Sequence, residues 1–261
     1  MSRWLQVSLG VALFSVVSVS LASAGLNPTA TARIYWQTGS TGVGQATRNS
    51  TAGVPQLVVT VKNVTSFRGA DVQLLLGALD KVSPVPDAWN FTTGACADGA
   101  ATFYLGSRGG AYPNIISSAP AVAGIVATQN GEYVAVDDCV TPHNTALFWM
   151  SAAGAAGQTR NAAIEYGVWA IKFDVSTTLC PGSIGNNEVG VCIAPNYRQP
   201  CTAPSQIDKL AIVDANAAKD FAPFDAGFNY LTWFNSAGGT ECPNAVPVQA
   251  KTWGQIRRIF K

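Results

Sequence analysis

Gln56–Leu76 reads QLVVTVKNVTSFRGADVQLLL. Leu57, Val59 and Val61 fall on one side of an extended chain, with Val58, Thr60 and Lys62 on the other. A period of two carried by β-branched residues belongs to a strand with one buried face. A helix is disfavoured because Val58-Val59-Thr60-Val61 restricts χ1 against each preceding turn. Asn63 to Gly69 then supplies Asn, Thr, Ser and Gly, the residues of turns and bulges. Val72, Leu74 and Leu76 resume the alternation opposite Asp71, Gln73 and Leu75. The expectation is two antiparallel strands, a hairpin, feeding one core.

Further short strands are expected at Ala32–Gln37, Ala88–Thr93, Ala101–Leu105, Glu132–Asp138, Ala146–Met150, Ile164–Val175, Glu188–Ile193, Leu210–Val213 and Phe228–Phe234. Gly, Pro, Asn and Asp clusters separate them, and no capped stripe of period 3.6 precedes the last residues. Many short strands between turn signals imply an all-β protein: a single jelly-roll or cohesin-like β-sandwich with long loops. The domain runs from 25 to 245. Two smaller sandwiches are the alternative, but neither a Pro/Ser-rich linker nor a convincing internal repeat divides the chain.

Met1–Ala24 has the organisation of an export signal: Arg3, an apolar run from Val7 to Val19, and the small-x-small site Ala22-Ser23-Ala24. Cleavage is expected before Gly25. The apolar run is short for a membrane span, and no later stretch is long enough for one. A retained N-terminal anchor is the competing reading. Beyond the signal, 15 basic residues face 15 acidic ones, which removes any electrostatic reason to seek nucleic acid.

Six cysteines, Cys96, Cys139, Cys180, Cys192, Cys201 and Cys242, suit three disulfides in an exported chain. Cys180 and Cys192 flank a turn-rich loop and form the best pair, worth about 3 kcal/mol in the chain-entropy account. Zinc is a poor rival, with no CxxC and with His143 as the only histidine.

Gly53–Leu76, GVPQLVVTVKNVTSFRGADVQLLL, resembles the first hairpin of cohesin-like modules. IEYGVWAIKFDV, Ile164–Val175, paired with a terminal strand is similar to the same jelly-roll plan. The resemblance implies non-catalytic adhesion or binding, through dockerin or carbohydrate recognition. The cysteines and long loops depart from that pattern, which puts a dockerin partner in doubt.

The chain offers little catalytic chemistry to read. A hydrolytic triad would need His143, with Asp137 or Asp138 as its orienter, and no G-x-S-x-G elbow is present. His143 lies in Thr141-Pro142-His143-Asn144, read as a surface turn. Glycosidase carboxylates could be drawn from Asp137, Asp138, Glu165, Glu188, Asp214, Asp220 and Asp225. Asp214, Asn216, Asp220 and Asp225 partly match a calcium loop, but Ala218 and Lys219 stand at a ligand position and at the required Gly. Gly39–Gly44 has the glycines of a phosphate loop without a following helix. Among the tryptophans, Trp89 beside Pro86 and Asp87 has the best claim to exposure and to a carbohydrate ligand, although a place in the core is favoured for it.

Val246–Lys261 is a separate basic tail. Lys251, Arg257, Arg258 and Lys261 accompany Trp253, Ile256, Ile259 and Phe260, which gather on one face of a short helix. The tail resembles the Trp-Gly-x-Ile-Arg/Lys endings of exported bacterial proteins, which implies sorting or surface attachment. Docking on the sandwich is the alternative. The sequence thus reads as a secreted or cell-surface, non-catalytic binding or structural module without a cofactor, whose partner is a glycan or another surface protein. A carbohydrate-binding module and, behind it, a glycoside hydrolase are the alternatives.

Overall fold

The computed structural model describes residues 25–38, 42–43, 47–49, 55–78, 89–91, 94–108, 111–116, 121–134, 142–174, 191–195 and 209–234. Among them are thirteen strands and no α-helix. In chain order they are β1 (Thr31–Thr38), β2 (Gly42–Val43), β3 (Thr47–Asn49), β4 (Gln56–Lys62), β5 (Ser66–Ala78), β6 (Ala101–Leu105), β7 (Ala121–Val134), β8 (Pro142–Thr159), β9 (Tyr166–Phe173), β10 (Val191–Pro195), β11 (Lys209–Val213), β12 (Lys219–Pro223) and β13 (Leu231–Phe234).

They form two sheets. One has the order β2-β1-β4-β9-β6 and is antiparallel throughout. The other runs β12-β11-β5-β10-β13-β3, with β8 along the remaining edge of β5 and β7 outside β8. The β13–β3 pair is parallel. The alternating positions read from the sequence meet between the sheets. Ile34, Trp36, Leu57, Val59, Val61, Ile171 and Phe173 face Phe67, Val72, Leu74, Leu76, Phe148, Ile193, Ile212 and Trp233 in one buried cluster. Trp36 crosses the interface, packing edge-on against Trp233 and donating from Nε1 to the Thr232 carbonyl at 3.1 Å. Each such aromatic or aliphatic side chain contributes roughly 1.5–3 kcal/mol by leaving water. The fold is therefore an all-β sandwich.

Two pairing expectations are corrected. β4 and β5 are strands, but they are not a hairpin: β4 lies in the five-stranded sheet and β5 in the other. Asn63 at φ 58° turns the chain across the core instead of back along β4, and Val64 is fully buried in that corner. Each strand thereby turns its own apolar face inward from opposite sides. Likewise β9 pairs with β4 and β6, while the late strand β13 pairs with β10 and β3 in the opposite sheet.

Local expectations change as well. Trp89–Phe91 is not a strand; Trp89 is a 3-10 residue. Pro142 and His143 open β8, in register with Val134 and Tyr133, so His143 belongs to a strand rather than a turn. No cysteine among the described residues is free: Cys96 and Cys192 are both bonded sulfurs. Cys139, Cys180, Cys201 and Cys242 lie outside the described residues, as do the signal, Asp137, Asp138, Glu188, the tail and most of Gly39–Gly44. No described helix is long and apolar enough to cross a membrane.

Candidate functional site: the outer face of the five-stranded sheet

The face of this sheet turned away from the core is not plain solvated surface. Cross-strand register sets Tyr35 of β1 opposite Val58 of β4, Val58 opposite Ala170 of β9, and Ala170 opposite Tyr104 of β6. Val58 and Ala170 are fully buried although they stand on the outer side. Residues 106–108 and 111–114 run close over this side. The Gly106 N–H donates to the Val168 carbonyl at 2.8 Å, the Gly167 N–H to Pro113 at 2.9 Å and the Ile115 N–H to Gly167 at 3.0 Å. Gln37 and Gln56 both donate from Nε2 to the Arg108 carbonyl, at 2.6 and 3.0 Å. A Cβ at Gly167 would meet the Ser107 nitrogen at 2.6 Å, so glycine is what admits the crossing chain. The loop places the Tyr112 ring on Tyr35, stacked at 5.7 Å, and the exposed Arg108 guanidinium 4.3 Å above the Tyr104 ring.

At the β1 end the face becomes an ion cluster. Arg33 donates from Nε to Asp225 Oδ2 at 2.6 Å and from Nη1 to the Tyr35 hydroxyl at 3.1 Å, and lies 3.4 Å from Glu165. The Tyr35 hydroxyl donates to Glu165 Oε1 at 3.0 Å and Thr60 Oγ1 donates to the same oxygen at 2.5 Å. Lys62 Nζ pairs with Asp225 at 3.1 Å. Phe228 closes the cluster, with its ring 5.2 Å from that of Tyr35 and 4.6 Å beneath the Arg33 guanidinium.

Two local devices gather these groups. Strict alternation back from the core residue Trp169 would send Glu165 inward. A one-residue register shift between Val59 and Thr60, opposite Val168, reverses the parity, so Tyr166 enters the core and Glu165 reaches Thr60. Beyond β12 the chain follows the free edge of β1: the Asp225 N–H donates to the Ala32 carbonyl and the Ile34 N–H to the Phe228 carbonyl, both at 2.9 Å. That edge contact carries Asp225 and Phe228 onto Arg33.

The electrostatics keep these groups fixed. Burial alone would raise the Asp225 carboxyl, but hydrogen bonds and charge from Arg33 and Lys62 outweigh it and hold Asp225 below the usual carboxylate range. Burial opposes the Arg33 charge, yet Asp225, Tyr35 and Glu165 together raise its pKa above the ordinary value. Burial, assisted by the Glu165 charge, pushes the Tyr35 and Tyr112 hydroxyls up. The carboxylates are thus committed to cations and hydroxyl donors. The arrangement can present rigid aromatic and guanidinium surface to a ligand.

Beside it, Lys172 and Thr102 border an open pocket of about 250 Å³ completed by Asp98, Gly99, Ala100 and Asp174. Asp98 also accepts from the Gly94 N–H at 2.9 Å.

The residues singled out from sequence fare unevenly. Glu165 and Asp225 come together around Arg33. Trp89 is fully buried, packed against Trp36, Phe91, Phe173 and Trp233, so it offers no ligand platform. The calcium-loop carboxylates are taken up by protein partners. Buried Asp214 spends Oδ1 on the N–H groups of Asn216 and Ala218 and Oδ2 on that of Leu26. Asp220 binds the Asn27 N–H, and Asp225 is paired with Arg33 and Lys62. Among the described residues no three His, Cys, Asp or Glu side chains gather for a metal. Sequence reasoning passed over Arg33, Tyr35, Tyr104, Arg108, Tyr112 and Phe228. The available signal was β1 itself, where Arg33, Tyr35 and Gln37 alternate with the core residues Ala32, Ile34 and Trp36.

No family model matches the chain, and no curated protein matches it. Among solved structures it is similar to a type II cohesin domain from the cellulosome of Acetivibrio cellulolyticus, with a TM-score of 0.38 and 13% identity over 80% of this chain and 96% of that one. It is similar to the second type II cohesin module from the adaptor ScaA scaffoldin of the same organism, with a TM-score of 0.39 and 9% identity over 83% and 96%. A non-cellulosomal cohesin from the hyperthermophilic archaeon Archaeoglobus fulgidus matches with a TM-score of 0.30 and 9% identity over 79% and 92%. These are weak cohesin-like resemblances at low identity.

Proposed function

We propose that the chain is an exported, non-catalytic binding module that meets its partner with the outer face of the five-stranded sheet. The observation that carries this reading is the Tyr112–Tyr35–Phe228 aromatic cluster, locked onto Arg33 by Glu165 and Asp225 and continued across the sheet by Tyr104 and Arg108. Tyrosine and arginine are enriched at binding hot spots; tyrosine brings a large contact area with two rotors, and arginine a planar, pre-organised guanidinium. Here the side chains are ordered before any partner arrives, which lowers the entropy cost of association. The near-neutral charge argues against nucleic acid. Another surface protein is the favoured partner class, and a glycan the second, because Tyr112 and Tyr104 are partly exposed rings on which a sugar could stack.

Export rests on the Met1–Ala24 pattern, and three disulfides, with Cys180 to Cys192 among them, suit the same oxidising compartment. The basic tail is read as a placement signal outside the cell. The test is a binding screen of the processed protein against a glycan array and a panel of purified surface proteins, repeated with Arg108→Ala/Tyr112→Ala. Binding weakened tenfold or more, with an unchanged melting curve, supports the face; binding indifferent to the double variant sinks it. A glycan hit lost in the same variant would make the module carbohydrate-binding. Glycan turnover abolished by Glu165→Gln would make it an enzyme.

A further inference from the structure

The three residues after Ala24 are held by carboxylates from far along the chain. The Leu26 N–H donates to Asp214 Oδ2 at 2.9 Å and the Asn27 N–H to Asp220 Oδ2 at 2.8 Å. Thr65 Oγ1 donates to the Leu26 carbonyl at 2.8 Å. Asn27, 2% exposed, accepts at Oδ1 from the Thr65 and Ser66 N–H groups and donates from Nδ2 to the Ser66 carbonyl. The Asp220 carboxylate packs so closely on Gly25 that a Cβ there would overlap it and the carboxylate would have to move. By bond lengths the Gly25 nitrogen is then within roughly 5 Å of that carboxylate.

Among the described residues no lysine or arginine lies within 4.0 Å of Asp214 or Asp220. Two carboxylates therefore flank this segment with no cation from the described residues within 4.0 Å. Cleavage at Ala22-Ser23-Ala24 would create one. Hydrolysis of the Ala24–Gly25 peptide bond takes up one water, leaves a carboxylate on Ala24, and frees an amine on Gly25 that is protonated below a pKa near 8.

We propose that Asp220, with Asp214 one residue along the bound segment, is a receptor site for the α-ammonium of Gly25. Signal removal then completes the fold with an ion pair that the precursor, whose Gly25 nitrogen is a neutral amide, cannot form. The proposal rests on the export reading and adds to it a structural role for the cleavage point.

The experiment starts with N-terminal sequencing of the secreted protein, which is expected to begin at Gly25. Thermal melts then compare the processed chain with one retaining Ala22-Ser23-Ala24, each with and without Asp220→Asn. The processed chain is expected to melt higher by about 2–4 °C, the shift that one such interaction gives a protein of this size. Asp220→Asn keeps an acceptor for the Asn27 N–H and is expected to remove most of the difference. A start at another residue overturns the cleavage reading and the proposal together. A Gly25 start with equal melting, or with a difference that Asp220→Asn leaves intact, overturns the proposal alone. If Asp220→Asn does not fold, titration of the wild-type Gly25 amine decides: a pKa above the ordinary range supports the pair, and an ordinary one overturns it.

Discussion

Asp225 is where a single residue makes the outer face measurable. Its carboxyl is held below the normal range because Arg33 and Lys62 outweigh its burial. A depressed folded-state pKa adds stability that is fully present above the unfolded value near 4 and is lost as pH falls through the folded value. The wild-type protein should therefore be more stable than Asp225→Asn at pH 7, by about 1 kcal/mol for a partly exposed pair. The two should converge as pH falls toward about 2. Thermal melts of both proteins across that range check this, and a constant offset would mean that the Asp225 charge does not stabilise the cluster. Little of this cluster was legible in the sequence. Glu165 and Asp225 lie 132 and 192 positions from Arg33, and nothing local marks them as neighbours. Trp89 differs: the core place favoured for it is the one observed, the exposure that adjacent Pro86 and Asp87 offered as the alternative is not, and its burial comes from Trp36, Phe173 and Trp233, all remote in sequence.

At the scale of elements, alternation identified β4 and β5 but could not say which sheet each joins. A run of alternating apolar residues reports one buried face, and both a hairpin and a crossing between facing sheets satisfy it. The difference lies in the corner. Asn63 has φ 58°, its N–H donates to the Ala162 carbonyl at 3.2 Å, and its side chain donates to the Thr29 carbonyl at 3.3 Å. Left-handed backbone costs a β-branched residue roughly 1–2 kcal/mol, but asparagine and glycine tolerate it. Asn63→Gly should therefore be nearly neutral, and Asn63→Val should lose about 1–2 kcal/mol in urea unfolding. Equal loss in both variants would place the importance of Asn63 in its side-chain bond to Thr29 instead. The bulge at Val168, opposite Val59 and Thr60, was equally invisible, since one extra residue in a run of apolar ones leaves no trace in composition.

For the molecule as a whole, the all-β sandwich was legible because period-two patterning and turn residues recur along the sequence. Connectivity was not, because pairing partners are chosen by tertiary packing. The basic tail tests whether the body stands alone. The contacts described for the Arg33 cluster, the aromatic core and the tethered Gly25–Asn27 segment come from residues between 25 and 234. Deleting Lys251–Lys261 should leave the melting temperature nearly unchanged and alter the fraction of protein retained at the cell surface. A truncated protein that unfolds would instead make the tail part of the core.

β5 also has a consequence in time. One edge of this 13-residue strand bonds to β8, and the other is shared by β11 at Gly69–Asp71 and β10 at Leu74–Ala78. All three partners are made later by the ribosome, as is β9, which completes the pairing of β4. A chain emerging from the exit tunnel can therefore lay β4 against β1, yet must leave β5 without a partner until β8 (Pro142–Thr159) has been synthesised, and its other edge open until β10 (Val191–Pro195) and β11 (Lys209–Val213) follow. Such a delay slows folding, since distant segments must meet before any reward is gained. For a polypeptide read as crossing a membrane in extended form, that slowness keeps it threadable until it is through.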